Sequence, residues 1–354
     1  GKWLLYSCCK GGDFVVTIKE IAQQLGVSPT TVSNVLNGRT GKMSPETRQK
    51  VQEALIQNHY VHESRHGDDE PVTHYVAVYC CLGDREHILM DPFCGELLEA
   101  AERELRKYGR TMVCGVVDAN EDFDERLKCS GLEGAVILGC MEENCEPLAR
   151  RTGFPIVFID SGRGNYDNIG LQDYEGGYEV ASYMLKQGND KIAFFCDQRD
   201  PVGADGERYR GFLDAVKKYG ASFSKEEDYI FLPADKHLRH EVLRRFAKTA
   251  KAKGYTGAFF VYDLLANEGI NIFFSQGLNV PEDISVVGFD DNIYARLSRP
   301  ALTTVRQSPA EKGRAAVNLL MKRIYGEEVL APSLQLPTEL IVRESVANRT
   351  VRQL

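Results

Sequence analysis

The 354-residue chain carries 43 Lys and Arg against 51 Asp and Glu, a net charge of −8. That length allows one small and one large domain with ample core. The acidic balance excludes a protein that coats nucleic acid nonspecifically. Ten cysteines fall as the adjacent pairs Cys8-Cys9 and Cys80-Cys81 or as scattered singles without a C-x-x-C partner, which argues against a metal centre. Cys80, Cys81, Cys114, Cys140 and Cys196 lie in or beside apolar runs, and the spacing predicts small buried hydrophobes in a reducing cytoplasm.

Residues 1–16 form a leader to which no function is assigned. Their apolar run, Trp3 to Tyr6, is too short for the core of a signal peptide or for a membrane span. Residues 17–37 then read TIKEIAQQLGVSPTTVSNVLN, a helix, a tight turn and a second helix. Thr17 can cap the first helix, with Glu20 closing a capping box. Ile18, Ile21, Ala22 and Leu25 form its apolar stripe. Gly26 stands where a helix ends in a left-handed residue. Ser28 can cap the second helix, and Pro29 suits its first position. Val32, Val35 and Leu36 face inward. Thr30, Thr31, Ser33, Asn34 and Asn37 remain outside as a short, polar, uncharged face suited to a DNA major groove. Ser44-Pro45-Glu46 starts a third helix that buries Val51, Ala54 and Leu55. Within 17–66 six Lys and Arg stand against four Glu, a surplus of two that steers this head toward phosphate.

Residues 61–73 are an acidic linker, with Gly67 and then Asp68, Asp69 and Glu70. From 74 onward the pattern becomes strand, helix, strand. The apolar runs 75–79, 112–114, 135–138, 156–159, 191–196, 258–261 and 285–288 alternate with amphipathic helices such as 93–108. Continuous apolar strands between helices mean parallel sheets covered on both faces. Two such units side by side form a cleft, and ligands bind at the carboxyl ends of the strands that face it.

The block VSPTTVSNVLNG…MSPETRQKVQEAL resembles the amino-terminal domain of the lactose/galactose repressor family. The segments IGLQDYEGGYEVASYML, GERYRGFLDAV, ISVVGFDDNIYARLSRPALTTVRQ and LPTELIVRES resemble the same family's effector-binding core. The resemblance implies an α/β protein: an all-α helix-turn-helix head at 17–60, followed at 74–354 by a two-lobed, periplasmic-binding-protein-like core of parallel sheets flanked by helices. It also implies three crossings between lobes, placed near 162, 305 and 335. The lobes are then roughly 74–162 with 306–335, and 163–305 with 336–354. The function implied is a sequence-specific DNA-binding regulator, a repressor, acting in the cytoplasm as a homodimer. Its partners are operator DNA and a small-molecule effector of carbohydrate type, with no cofactor, no metal and no membrane.

By the same resemblance Thr30 and Asn34 read bases, with Pro29 and Asn37 beside them, while Thr17, Ser28, Thr31 and Ser33 help to seat the helix. Arg208, three residues before Gly211, takes the place of an effector-binding arginine, and Asp290 ends the strand 286–289. Asp160 and Asp173 join them at neighbouring strand ends. An arginine fork opposite a carboxylate suits a ligand dense in hydroxyls. Phe93, Tyr262 and Phe289 could supply flat contacts to a sugar ring. Departures from the family occur at Asp91-Pro92-Phe93-Cys94 and Tyr262-Asp263, where Asp91 and Asp263 alter the pocket's polarity. A larger departure is the linker, which lacks the leucine that wedges a base step in the minor groove. A periplasmic receptor is the rival reading, disfavoured by residues 17–60. An enzyme is the third, disfavoured by the lack of a phosphate loop or nucleophile elbow.

Overall fold

A computed structural model describes residues 18–36, 43–57, 74–81, 88–117, 126–127, 131–329 and 333–350. Thr17, Asn37 and the linker 61–73 lie outside them. The chain forms two compact units that part between Thr73 and His74.

The first unit is three helices, α1 (Ile18–Leu25), α2 (Pro29–Leu36) and α3 (Pro45–Gln57). Gly26 closes α1 at φ 66, and the amide of Val27 reaches back to the Ala22 carbonyl at 3.0 Å. Ser28 Oγ accepts the Thr31 amide at 3.1 Å, and Ser44 Oγ accepts that of Thr47 at 3.2 Å. Each hydroxyl satisfies a donor that the first turn of its helix leaves open. Ile21, Ala22, Val32, Val51 and Ala54 form the core, with Ile18, Leu25, Val27, Val35 and Leu55 packed around it. Each large aliphatic buried here contributes roughly 1.5–3 kcal/mol, so a head this small has little stability in reserve.

The second unit runs β1 (Tyr75–Cys80), α4 (Pro92–Lys107), β2 (Thr111–Val116), β3 (Leu132–Leu138), α5 (Glu142–Arg151), β4 (Ile156–Ile159), β5 (Asp167–Leu171), α6 (Asp173–Lys186), β6 (Ile192–Cys196), α7 (Gly203–Lys218), β7 (Tyr229–Phe231), α8 (Lys236–Ala250), β8 (Gly257–Phe260), α9 (Asp263–Ser275), β9 (Ser285–Val287), α10 (Ile293–Leu297), β10 (Thr304–Arg306), α11 (Pro309–Ile324), β11 (Ser333–Leu336) and β12 (Glu339–Ile341). The first lobe has the parallel order β11-β5-β4-β3-β1-β2, and the second has β7-β6-β8-β9. The strands β10 and β12 pair antiparallel between them. The second lobe's core is aromatic: Phe194, Phe195, Phe212, Phe259, Phe260 and Phe273 are fully buried, and Phe195 stacks on Phe260 at 4.2 Å.

Two expectations are corrected. The first crossing falls after Leu171 and not near 162, because β5 joins the first sheet beside β4. Asn168 and Gly170 interrupt its apolar run and hide the strand. Asn168 is buried for a local reason: its Oδ1 accepts the Ser161 amide at 3.2 Å and its Nδ2 donates to the Gly162 carbonyl at 3.1 Å. Cys114 is exposed, because β2 is an edge strand of its sheet, whereas Cys80, Cys81, Cys140 and Cys196 are buried. No helix among the described residues is long and apolar enough to cross a membrane.

Candidate DNA-reading face and effector cleft

On α2 the residues Ser28, Pro29 and Thr30 are exposed, and Thr31, Ser33 and Asn34 are partly so. Thr30 and Asn34 stand four apart, hence one above the other on a single face. The helix carries no acidic residue in its first turn and no basic one in its last, so no charged side chain there repels or attracts phosphate. Ser28 Oγ and Thr31 Oγ1 are 2.8 Å apart and bond each other, so their first role is to close the helix start.

The cleft is set by a close helix crossing. A Cβ on Gly177 would stand 2.2 Å from the Arg208 carbonyl oxygen, and one on Gly211 would stand 2.1 Å from that of Tyr174. Only glycine at both positions lets α6 and α7 meet backbone to backbone. That contact places Asp173, the first residue of α6, beside Arg208 of α7. Arg208 Nε donates to Asp173 Oδ1 at 2.9 Å, and Nη1 donates to Asp205 Oδ1 at 3.3 Å and the Val261 carbonyl at 2.9 Å. The guanidinium lies 3.8 Å over the Phe289 ring. Burial works against its charge, but Asp173, Asp205 and Asp290 outweigh that and its pKa rises. Burial also pushes the Asp173 carboxyl up to about 6, against the pull of Arg208 and Lys312.

Asp160 and Asp290 end β4 and β9 on the two lobes. Among the described residues only Asp160, Asp290 and Asp291 are non-glycines with positive φ, at 54, 121 and 57. Such strain costs on the order of 1–3 kcal/mol per residue and gathers at functional sites. Gln307 Nε2 donates to Asp290 Oδ1 at 2.5 Å, while Gln307 Oε1 accepts from Lys312 Nζ at 2.7 Å. Lys312 also donates to Asp160 Oδ1 and Oδ2 at 2.8 and 2.6 Å, and it sits 5.2 Å from the Phe93 ring centre. Asp291 is bound by Arg306 Nε at 2.8 Å and by Arg343. Between the lobes lies a cavity of about 50 Å³, lined in part by Asp160, Arg163, Asp173, Glu175, Glu207 and Gln335.

The expected residues therefore divide. Asp160, Asp173, Arg208, Asp290 and the half-buried Phe93 converge. Asp91 turns the start of α4, its Oδ1 accepting the Phe93 amide at 2.8 Å. Tyr262 donates to Asp197 Oδ2 at 2.8 Å, so its polar edge is held within its own lobe. Asp263 and Phe289 are corrections. Asp263 is fully buried, accepts from Thr304 Oγ1 at 2.6 Å and the Asn292 amide at 3.1 Å, and acts as a strut. Burial first, then Asp290, pushes its carboxyl well above the usual range. Phe289 is likewise fully buried and serves as the floor under Arg208. Strand-end position marks where such residues lie, but not which way they point. Lys312, Gln307 and Asp205 were not anticipated. A signal for Lys312 existed: with Pro309, Gly313, Ala316 and Leu320 it lies on the buried face of α11.

Residues 17–62 match the bacterial regulatory proteins of the lacI family. Residues 86–242 match the periplasmic binding proteins and sugar binding domain of that family, and 181–346 match a periplasmic binding protein-like domain. The HTH-type transcriptional repressor PurR of Pasteurella multocida is 28% identical over 346 residues, which span 95% of this chain and 100% of that protein. DegA of Bacillus subtilis, an HTH-type transcriptional regulator, is 28% identical over 94% of this chain and 98% of its own length. Among solved structures, the complex of the regulator CelR with cellobiose is similar with TM-score 0.68 and 25% identity, covering 93% of this chain and 99% of that one. The lac repressor dimer bound to operator and an anti-inducer shares the fold with TM-score 0.66 and 19% identity, covering 94% and 99%.

A helix-turn-helix head before a two-lobed binding core defines a DNA-binding transcriptional regulator with an effector domain, not an enzyme. The chain belongs to the lacI family of bacterial regulatory proteins.

Proposed function

We propose that this protein is a repressor that binds its operator as a homodimer and is controlled by a hydroxyl-rich small molecule, of carbohydrate kind, held between the lobes. The observation that carries the effector reading is Arg208. Three of its contacts fix the guanidinium, while Nη2 makes no hydrogen bond among the described residues and is not sealed from solvent. A preorganised donor pair, with Asp290 of the same lobe as acceptor, fits vicinal hydroxyls. Cellobiose in CelR and ribose in an Enterococcus faecium relative support the same class. Binding closes or parts the lobes, and the differential affinity for the two arrangements shifts operator binding.

The homodimer reading is supported by α9 and α10, which leave Phe274, Ile293 and Leu297 exposed at 75%, 51% and 66%. Apolar side chains this open gain from cover by a second copy. A gel-shift assay on DNA upstream of the protein's own gene, repeated across a panel of mono- and disaccharides, tests the reading. A retarded complex that one sugar dissolves or strengthens is expected, and a complex indifferent to every sugar tested counts against carbohydrate control.

The acidic linker lies outside the described residues, and the sequence alone assigns it a cost. Replacing Asp68, Asp69 and Glu70 with alanine is expected to raise affinity for any DNA, with the gain shrinking as salt rises. A loss of operator affinity in that variant would show that 61–71 orders on DNA.

A further inference from the structure

Lys312 is the most buried cation near the cleft, with its side chain at 0% exposure. It stands in the first turn of α11, where the helix dipole disfavours positive charge. A buried ammonium has to be paired, and its three donors meet Asp160 Oδ1, Asp160 Oδ2 and Gln307 Oε1. Arg208 is similarly engaged by two carboxylates, Asp173 and Asp205. Two buried cations thus face Asp160, Asp173, Asp205 and Asp290, and the cleft interior is net negative. Arg163 is exposed at the rim, with Glu175 and Glu207 lining the same opening.

We propose that the Asp160–Lys312–Gln307 arrangement is a charge-selectivity device: it neutralises the buried Lys312 ammonium, so the cleft takes uncharged hydroxylated ligands and rejects their phosphate esters and carboxylic acids. The inference rests on the effector reading above and narrows it. An incoming phosphate has to displace Asp160 from Lys312, leaving a half-buried carboxylate without its cation. It also has to approach Asp173, Asp205 and Asp290. A neutral ligand meets the Nη2 donors of Arg208 and disturbs no ion pair. Lys312 is a positioning residue on this account, since it holds the Gln307 amide oxygen toward itself and so aims the amide nitrogen at Asp290.

The test uses inorganic phosphate as probe, with chloride at matched ionic strength as control, and reads thermal stability and calorimetry on the full chain. Wild type is expected to show no saturable phosphate binding in the cleft. Asp160→Asn frees the Lys312 charge and is expected to gain at least about tenfold in phosphate affinity, since charge-assisted bonds to phosphate are the strong ones. Adding Lys312→Met to that variant is expected to abolish the gain, which separates the cleft from rim binding at Arg163. Saturable phosphate binding by wild type that Lys312→Met removes, or no gain in a folded Asp160→Asn, would overturn the proposal. If Asp160→Asn does not fold, the wild-type Lys312 ¹⁵Nζ resonance decides. It is expected to stay unshifted on adding phosphate, and a phosphate-dependent shift overturns the device. Failure of the sugar reading shows separately, as neutral sugars binding without dependence on Arg208, and leaves the phosphate results standing.

Discussion

Effector binding is expected to fall by roughly 2–5 kcal/mol when Arg208 is replaced by alanine, the usual cost of truncating one member of a buried, hydrogen-bonded charge pair. The guanidinium is the element around which the cleft is organised. It takes Asp173 from α6, Asp205 from its own helix and the Val261 carbonyl after β8, all over the Phe289 ring. Its removal also leaves Asp173 and Asp205 buried without their cation, so the second lobe is expected to lose stability as well. Asp290→Asn separates the two effects, because it keeps size and shape and alters only the acceptor. Calorimetry with the tightest sugar found by screening should show weakened binding in both variants, while operator binding without sugar survives. Unchanged sugar affinity in both would place the effector elsewhere.

The second large effect is expected on the head. Asn34→Ala should cost about 1–3 kcal/mol at one operator position and relax preference there, because asparagine can pair with adenine through two hydrogen bonds in the major groove. Asn34 is partly exposed on the same face as Thr30, and it sits one turn beyond the Ser28–Thr31 cap that fixes the helix start. Competition binding against operators altered one base pair at a time reads the effect. A uniform loss across all sequences would assign Asn34 to phosphate instead.

The head was legible because its signals are local. Gly26, Ser28, Pro29 and Ser44 each answer a requirement of the helix end they occupy, and the apolar stripe of α1 returns as Ile21 and Ala22 in the core. The parallel sheets were legible because strands covered on both faces must read as continuous apolar runs. The strand β5 escaped because Asn168 and Gly170 serve the turn and the neighbouring strand and break that run. In the cleft, Arg208 and Asp290 were found through resemblance. Lys312 and Gln307 were missed because a lysine in the first turn of an amphipathic helix reads as solvated, and the Asp160 carboxylate that pairs with it lies 152 positions away. Asp263 and Phe289 show the opposite failure: they hold their expected places at strand ends, but they face the core.

The central claim is that ligand in the cleft controls the head's grip on DNA. Fluorescence anisotropy on a labelled operator, titrated with the identified sugar, tests it most directly. Saturating sugar is expected to change operator affinity about tenfold or more, within the usual 1–3 kcal/mol of allosteric coupling, and Arg208→Ala is expected to abolish the response while leaving sugar-free operator binding near that of wild type. An operator affinity that stays the same whether the cleft is empty or full would contradict it.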